Sequence, residues 1–116
     1  MFQVIKRDGS KADFTLTKIN DAIMKAFTAT QMSYNNDIID LLALRVTADF
    51  QKKVENDEIH VEDIQDSVEA VLIKAGYSDV AKAYILYRKQ REKVRNVNSA
   101  LLNYKDLVDD YLQIND

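Results

Sequence analysis

Cysteine and proline are absent from this 116-residue chain, glycine occurs twice and histidine once. Without cysteine, the chain has no disulfide framework, no thiolate-bound zinc, no iron–sulfur cluster and no thiol nucleophile. Without proline, and with Gly9 and Gly76 as the two flexible points, most of the chain is open to helix, and each glycine marks one backbone event. Two glycines cannot build a Walker loop, a dinucleotide-binding fingerprint or a nucleophile elbow. Long apolar runs are missing too. The longest, Ala70 to Ile73 and Ala83 to Tyr87, fall far short of the ~20 residues that cross a bilayer. Met1 is followed by a polar, strand-like stretch rather than a charged-then-apolar leader, so no membrane or secretory role is expected and a cytoplasmic location is.

Apolar residues form 47% of the chain and charged residues 30%, the balance of one ordinary globular domain. A chain of this length buries roughly two-thirds of its unfolded surface, enough for a real core. The net charge of −3 hides an asymmetry. Residues 1–32 carry five basic and three acidic side chains, and residues 33–79 carry four and eleven. Residues 80–95 then hold Lys82, Arg88, Lys89, Arg91, Lys93 and Arg95 against Glu92 alone. A fold joining the two basic blocks would make an anion site out of an acidic protein, whereas the late block by itself is also what a solvated helix face looks like.

Phe2 to Lys6 alternates as a short strand, with Phe2, Val4 and Lys6 on one face. Arg7-Asp8-Gly9-Ser10 predicts an Asp-Gly turn, and Lys11 to Phe14 returns as a second strand. Thr15 or Thr17 is placed to cap a helix whose stripe is Ile19, Ala22, Ile23, Ala26 and Phe27. Asn35-Asn36-Asp37 starts a second helix carrying Ile38, Leu41, Leu42, Arg45, Val46, Phe50 and Val54, ending near Glu55-Asn56-Asp57. Ile59-His60-Val61 reads as a brief strand. Glu62 and Asp63 then set negative charge at the start of a third helix, with Ile64, Val68, Val71 and Leu72 as its core face and Gly76 at its end. Ser78 or Asp79 caps a fourth helix from about Val80 to Val94, with Ala81, Tyr84, Ile85 and Arg88 on one side. A tail helix follows with Leu101, Leu102, Tyr104, Val108, Tyr111 and Leu112. The fold expected is mainly α with a small β cap: a helical bundle of about four helices plus a tail helix, covered by a three-stranded sheet made of the N-terminal hairpin and one short strand.

Three segments bear on chemistry. Lys6 and Arg7 set two cations at a tight turn, and Lys18 a third in the first turn of the next helix. Unpaired N–H groups and the dipole at a helix start favour an anion there; lysine meets phosphate as a point charge and arginine can fork across two oxygens. As a bare pattern, Lys-Arg-Asp-Gly is also simply a polar hairpin. Arg88 and Lys89 close an apolar, aromatic-bearing stretch, where they either lean over a neighbouring site or snorkel to solvent. His60, the single histidine, lacks the companions of a metal site. Glu58, Glu62, Asp63 and Asp66 read as helix-start and surface acids. No catalytic residue and no protein-borne metal site is assigned.

Taken together, the order of motifs resembles the ATP-cone, the regulatory nucleotide-binding module of ribonucleotide reductases. It comprises Val4-x-Lys6-Arg7-Asp8-Gly9 leading to Phe14 and Lys18-Ile19-x-x-Ala22-Ile23. Ile59 to Val61 follows with Asp63-Ile64-Gln65-Asp66-x-Val68-Glu69, then Ala81-x-Ala83-Tyr84-Ile85-x-Tyr87-Arg88. The segment Asn98 to Leu112 is similar to the connector into the catalytic barrel of the anaerobic, glycyl-radical class. The resemblance implies a regulatory domain over residues 1–95 and a helical connector over 96–116 toward a catalytic domain of the same polypeptide. It implies ATP or dATP as effector, with Mg²⁺ on the phosphates, control of the enzyme's overall activity, and homo-oligomerisation as the readout. Carried over residue by residue, Lys6, Arg7, Lys18, Arg88 and Lys89 match the phosphate contacts. Ala12, Thr15, Val61 and Gln65 match positions near base and ribose, where some members carry an acid, an asparagine, a threonine and a histidine. Two rivals are a nucleotide-responsive transcriptional regulator, which in this family carries a four-cysteine zinc ribbon, and a plain helical interaction module. Neither nucleic acid nor membrane is expected as a partner.

Overall fold

A computed structural model describes residues 2–94; the expected tail helix and the 96–116 connector lie outside them. The chain divides into two units that part between Ile85 and Leu86. In the first, β1 (Gln3–Ile5), β2 (Lys11–Asp13), α1 (Leu16–Ala29), α2 (Asn36–Phe50), a 3₁₀ turn (Gln51–Lys53), β3 (Glu58–His60) and α3 (Val61–Lys74) follow in order, and residues 78–85 begin a further helix, α4. This is the mainly α architecture with a small β cap that the sequence predicts.

The sheet has the order β2-β1-β3, with β1 antiparallel to β2 and parallel to β3. Val4 lies opposite both Ala12 and Ile59, so these three share one face, and Ile59 is buried beneath it. Gln3, Asp13 and Glu58 form one row of the other face, and Ile5, Lys11 and His60 the next. Against the predicted alternation, β1 is one residue shorter at each end and β2 one shorter at its C-terminal end, and the third strand is shifted: Val61 opens α3 instead of closing β3. A parallel partner needs three residues from β3, and the acids after Val61 favour a helix start.

The hairpin turn also differs from the expected Asp-Gly type. Gly9 N–H donates to the Lys6 carbonyl at 3.0 Å and Lys6 N–H to the Ser10 carbonyl at 2.8 Å, and Gly9 alone in the turn has positive φ, +87°. This is a type I turn followed by a glycine bulge. The primed two-residue turn is found elsewhere. Asn56 and Asp57 sit at φ +53° and +59°, while Glu55 and Glu58 exchange backbone bonds at 3.0 and 2.9 Å.

The core is assembled from three helix faces. Ile19, Ile23, Ala26 and Phe27 of α1 meet Ile39, Leu42, Ala43, Val46 and Phe50 of α2. Ile64, Val68, Val71 and Leu72 of α3 close it, with Val80, Ala81 and Tyr84 of α4. On α2, Leu42, Val46 and Phe50 are buried as predicted, but Ile39 and Ala43 complete the buried row, whereas Leu41 is 51% exposed and Arg45 is on the surface. Asn35 caps α2 as expected, its side chain accepting from Ile38 N–H at 2.8 Å. Thr15 precedes α1 but makes no side-chain cap, and α4 starts at Ser78, earlier than predicted. Gly76 ends α3 as expected, with φ +90°; its N–H bonds Ile73 and that of Tyr77 bonds Leu72, the double closure of a Schellman end.

Candidate functional site

Three phenylalanines fix the hairpin to the bundle. Phe2 and Phe14, flanking the two strands, stack at 4.6 Å, and each meets the buried ring of Phe50 edge-on, at 5.6 and 5.5 Å. Each buried ring contributes about 1.5–3 kcal/mol by burial alone. On the outer face, the Lys11 ammonium reaches across the central strand to Glu58 at 2.7 Å. The turn is therefore held at its base from both faces of the sheet.

That anchoring sets where the turn cations stand. Ile5 is opposite His60 in the parallel pair, so Lys6 and Arg7 emerge where β3 hands over to α3. Arg7 reaches α3 directly: its Nε lies 3.3 Å from Glu62 Oε1 and its Nη2 donates to Gln65 Oε1 at 3.4 Å. Arg7 and Gln65 come from separate motifs, 58 residues apart, and the fold brings them together. Val61, half-buried, is the first residue of the same helix. Ala12, also half-buried, sits mid-strand opposite Val4.

Lys6, Thr15 and Lys18 are exposed. Lys6 directly follows β1, and its N–H bonds the Ser10 carbonyl across the turn. Lys18 occupies the first turn of α1, a helix start with no side-chain cap and no acid. By contrast, α2 has its Asn35 cap and Asp37, and α3 has Glu62 and Asp63. An uncompensated helix start bearing a lysine keeps its positive potential for an outside anion. Among the described residues, the Lys6 and Lys18 ammonium groups enter no ion pair. Arg88 and Lys89 belong to the second unit; both are helical, Arg88 half-buried and Lys89 exposed. Nearby in that unit, Arg91 donates to the Tyr87 hydroxyl at 3.0 Å.

The ATP cone domain model matches residues 2–93. The chain belongs to the ATP-cone family. Among curated relatives, a ribonucleoside-diphosphate reductase subunit alpha from Chlamydia pneumoniae is 42% identical over 79% of this chain and 9% of its own length. An anaerobic ribonucleoside-triphosphate reductase from Haemophilus influenzae is 38% identical over 86% of this chain and 14% of its own. A vitamin B12-dependent ribonucleoside-diphosphate reductase from Thermoplasma acidophilum is 38% identical over 90% and 14%. This ATP-cone thus spans about a tenth of the reductases it matches, and those reductases are of several classes.

Two features of the cone escaped the sequence reading. Glu62 fits the helix-dipole pattern, yet it is an ion-pair partner of Arg7; a contact between a turn and a helix start 55 positions later leaves no local signal. A cleft of about 630 Å³ also opens on the outer face of the sheet, against Ile5, His60, Lys52, Lys53 and Asp63. It is lined by none of the residues matched to nucleotide contacts. Among the described residues, no group of three His, Cys, Asp or Glu side chains is placed to hold a metal ion, and no helix is long and apolar enough to cross a membrane.

Proposed function

We propose that this ATP-cone is the effector-binding regulatory domain of an anaerobic ribonucleoside-triphosphate reductase, taking ATP or dATP and controlling the enzyme's overall activity. The observation that carries the reading is the Arg7–Gln65 contact. It joins the cationic turn to the start of α3, two segments matched to opposite ends of one nucleotide. In this reading Lys6, Arg7 and Lys18 neutralise the phosphates, while Ala12, Thr15, Val61 and Gln65 border base and ribose. Mg²⁺ arrives on the phosphates and is coordinated by them and by water. The family resemblance also matches Arg88 and Lys89 to phosphate contacts, which Arg88→Ala and Lys89→Ala test by weaker dATP binding. The 116 residues supply no cysteine thiol, so reduction belongs to a catalytic domain of the same polypeptide, in the cytoplasm, and the effector acts through the association of copies of the enzyme. ATP and dATP differ only at the 2′-hydroxyl, and an effector shifts an equilibrium only by its differential affinity for the two states.

The test is a thermal-shift and calorimetric series on the 116-residue chain with ATP, dATP, GTP and dGTP, with and without Mg²⁺. An adenine nucleotide at 100 times its Kd stabilises by about 2.7 kcal/mol, whereas the guanine nucleotides give a smaller shift. Lys18→Ala weakens dATP by about 1 kcal/mol or more, the scale of a lost charge-assisted hydrogen bond. No shift with any adenine nucleotide sinks the reading.

A further inference from the structure

Asp63 already places a carboxylate in the first turn of α3, so the helix dipole does not by itself require Glu62. What distinguishes Glu62 is its aim. Nε and Nη2 make up one edge of a guanidinium, the edge that forks across two oxygens of a carboxylate or phosphate. In Arg7 that edge faces α3, with Nε toward Glu62 and Nη2 toward Gln65.

We infer that Glu62 is an internal competitor for the phosphates: it holds Arg7 against α3 in the ligand-free chain and must release it when a triphosphate binds. This rests on the nucleotide reading above and adds a residue that sets its affinity.

The geometry suits an exchangeable contact. Distances of 3.3 and 3.4 Å are long beside the ~2.8 Å of a tight charge-assisted bond. The side chains are 24% and 42% exposed, so water and salt weaken the pair. Lys11–Glu58, at 2.7 Å, is the shorter contact at the turn's base, where the stacked rings of Phe2 and Phe14 add packing. A carboxylate contact of this length is readily displaced by a triphosphate carrying several charges, while the base of the hairpin stays where Phe2, Phe14 and Lys11 hold it. Glu62 thus raises the effector concentration at which the turn closes on its ligand. It also favours ligands with enough phosphate charge to displace it.

Calorimetry on the 116-residue chain, with Mg²⁺–dATP and separately with inorganic tripolyphosphate, tests this. Glu62→Gln keeps size and hydrogen-bonding capacity and removes the charge; an unligated melt confirms that it folds. It is expected to bind both probes about two- to fivefold more tightly at low salt, the range of a surface ion pair, with the gain shrinking at high salt. In an Arg7→Gln background the same substitution is expected to change nothing. Unchanged or weaker binding by Glu62→Gln overturns the proposal, as does an equal gain without Arg7, which would mean general repulsion instead. If dATP binds the parent chain and Glu62→Gln leaves it unaltered, the competitor falls and the nucleotide reading stands. If tripolyphosphate shows the gain and dATP binds neither form, the competitor stands and the nucleotide reading falls.

Discussion

Asp8 accepts from the Ser10 hydroxyl at 2.6 Å and from the Ser10 N–H at 2.9 Å. These bonds, more than the nearby Lys6 charge, hold its carboxyl below the ordinary value of 3.8. Because the folded pKa is the lower one, Asp8 steadies the turn above the unfolded pKa, and that contribution is lost as pH falls through the folded value. Ser10→Ala is expected to move the Asp8 titration upward toward 3.8, read by NMR of the side-chain carboxyl. The local pattern Arg7-Asp8-Gly9-Ser10 announced a turn correctly, since Asp, Gly and Ser each act on their own backbone. It did not reveal the turn type, because Asp8 and Gly9 fit both a primed turn and a type I turn with a bulge. Lys6, Arg7 and Lys18 were legible as cations at a turn and a helix start. The pairing of Arg7 with Glu62 was not, since it depends on where α3 begins relative to the hairpin. In the core, Ser67 is fully buried and, among the described residues, its hydroxyl has no partner, a cost that the residue type alone does not announce.

Helix ends show how far local chemistry reaches at the scale of elements. α1 and α3 finish with the same double closure: Gln31 N–H bonds Thr28 and Met32 N–H bonds Phe27, as Gly76 and Tyr77 do for α3. Yet Gln31 adopts φ +58° with a side chain, where glycine is the natural occupant. Gln31→Gly is expected to raise stability by about 0.5 kcal/mol, and Gly76→Ala to lower it by about 1 kcal/mol. A Cβ on Gly76 meets nothing within 4 Å, so its cost is purely backbone strain. Urea denaturation of both variants measures the pair. The end of α3 was readable because glycine stands there; that of α1 carried only the loss of period from Thr28 to Ser33. The face of α2 is only partly legible, because apolar residues nearly encircle the helix. Leu42, Val46 and Phe50 are buried as predicted, but Leu41 and Arg45 fit helical spacing as well as Ile39 and Ala43 do, and only the surfaces of α1 and α3 decide which of them join the buried row.

For the molecule as a whole, Phe50 links the two layers. It is fully buried in α2 and receives both hairpin rings. Phe50→Ala is expected to cost about 3–5 kcal/mol, a large part of the 5–15 kcal/mol that holds a typical domain. Its urea midpoint should fall accordingly, and the turn cations should lose their fixed position at the same time. A variant that keeps full stability would show that the hairpin is anchored otherwise.

Composition, helical period, the turn residues and the order of motifs lay in the chain itself, because each depends on residues within a turn or two of one another. They set the helices, the sheet's constituents, the family and the cations. Which face of α2 is inward, which strand lies in the middle of the sheet, and that Arg7 meets Glu62 and Gln65 were decided by packing alone. Those features join residues tens of positions apart, and the free energy that selects among their alternatives exists only once the layers have closed on each other.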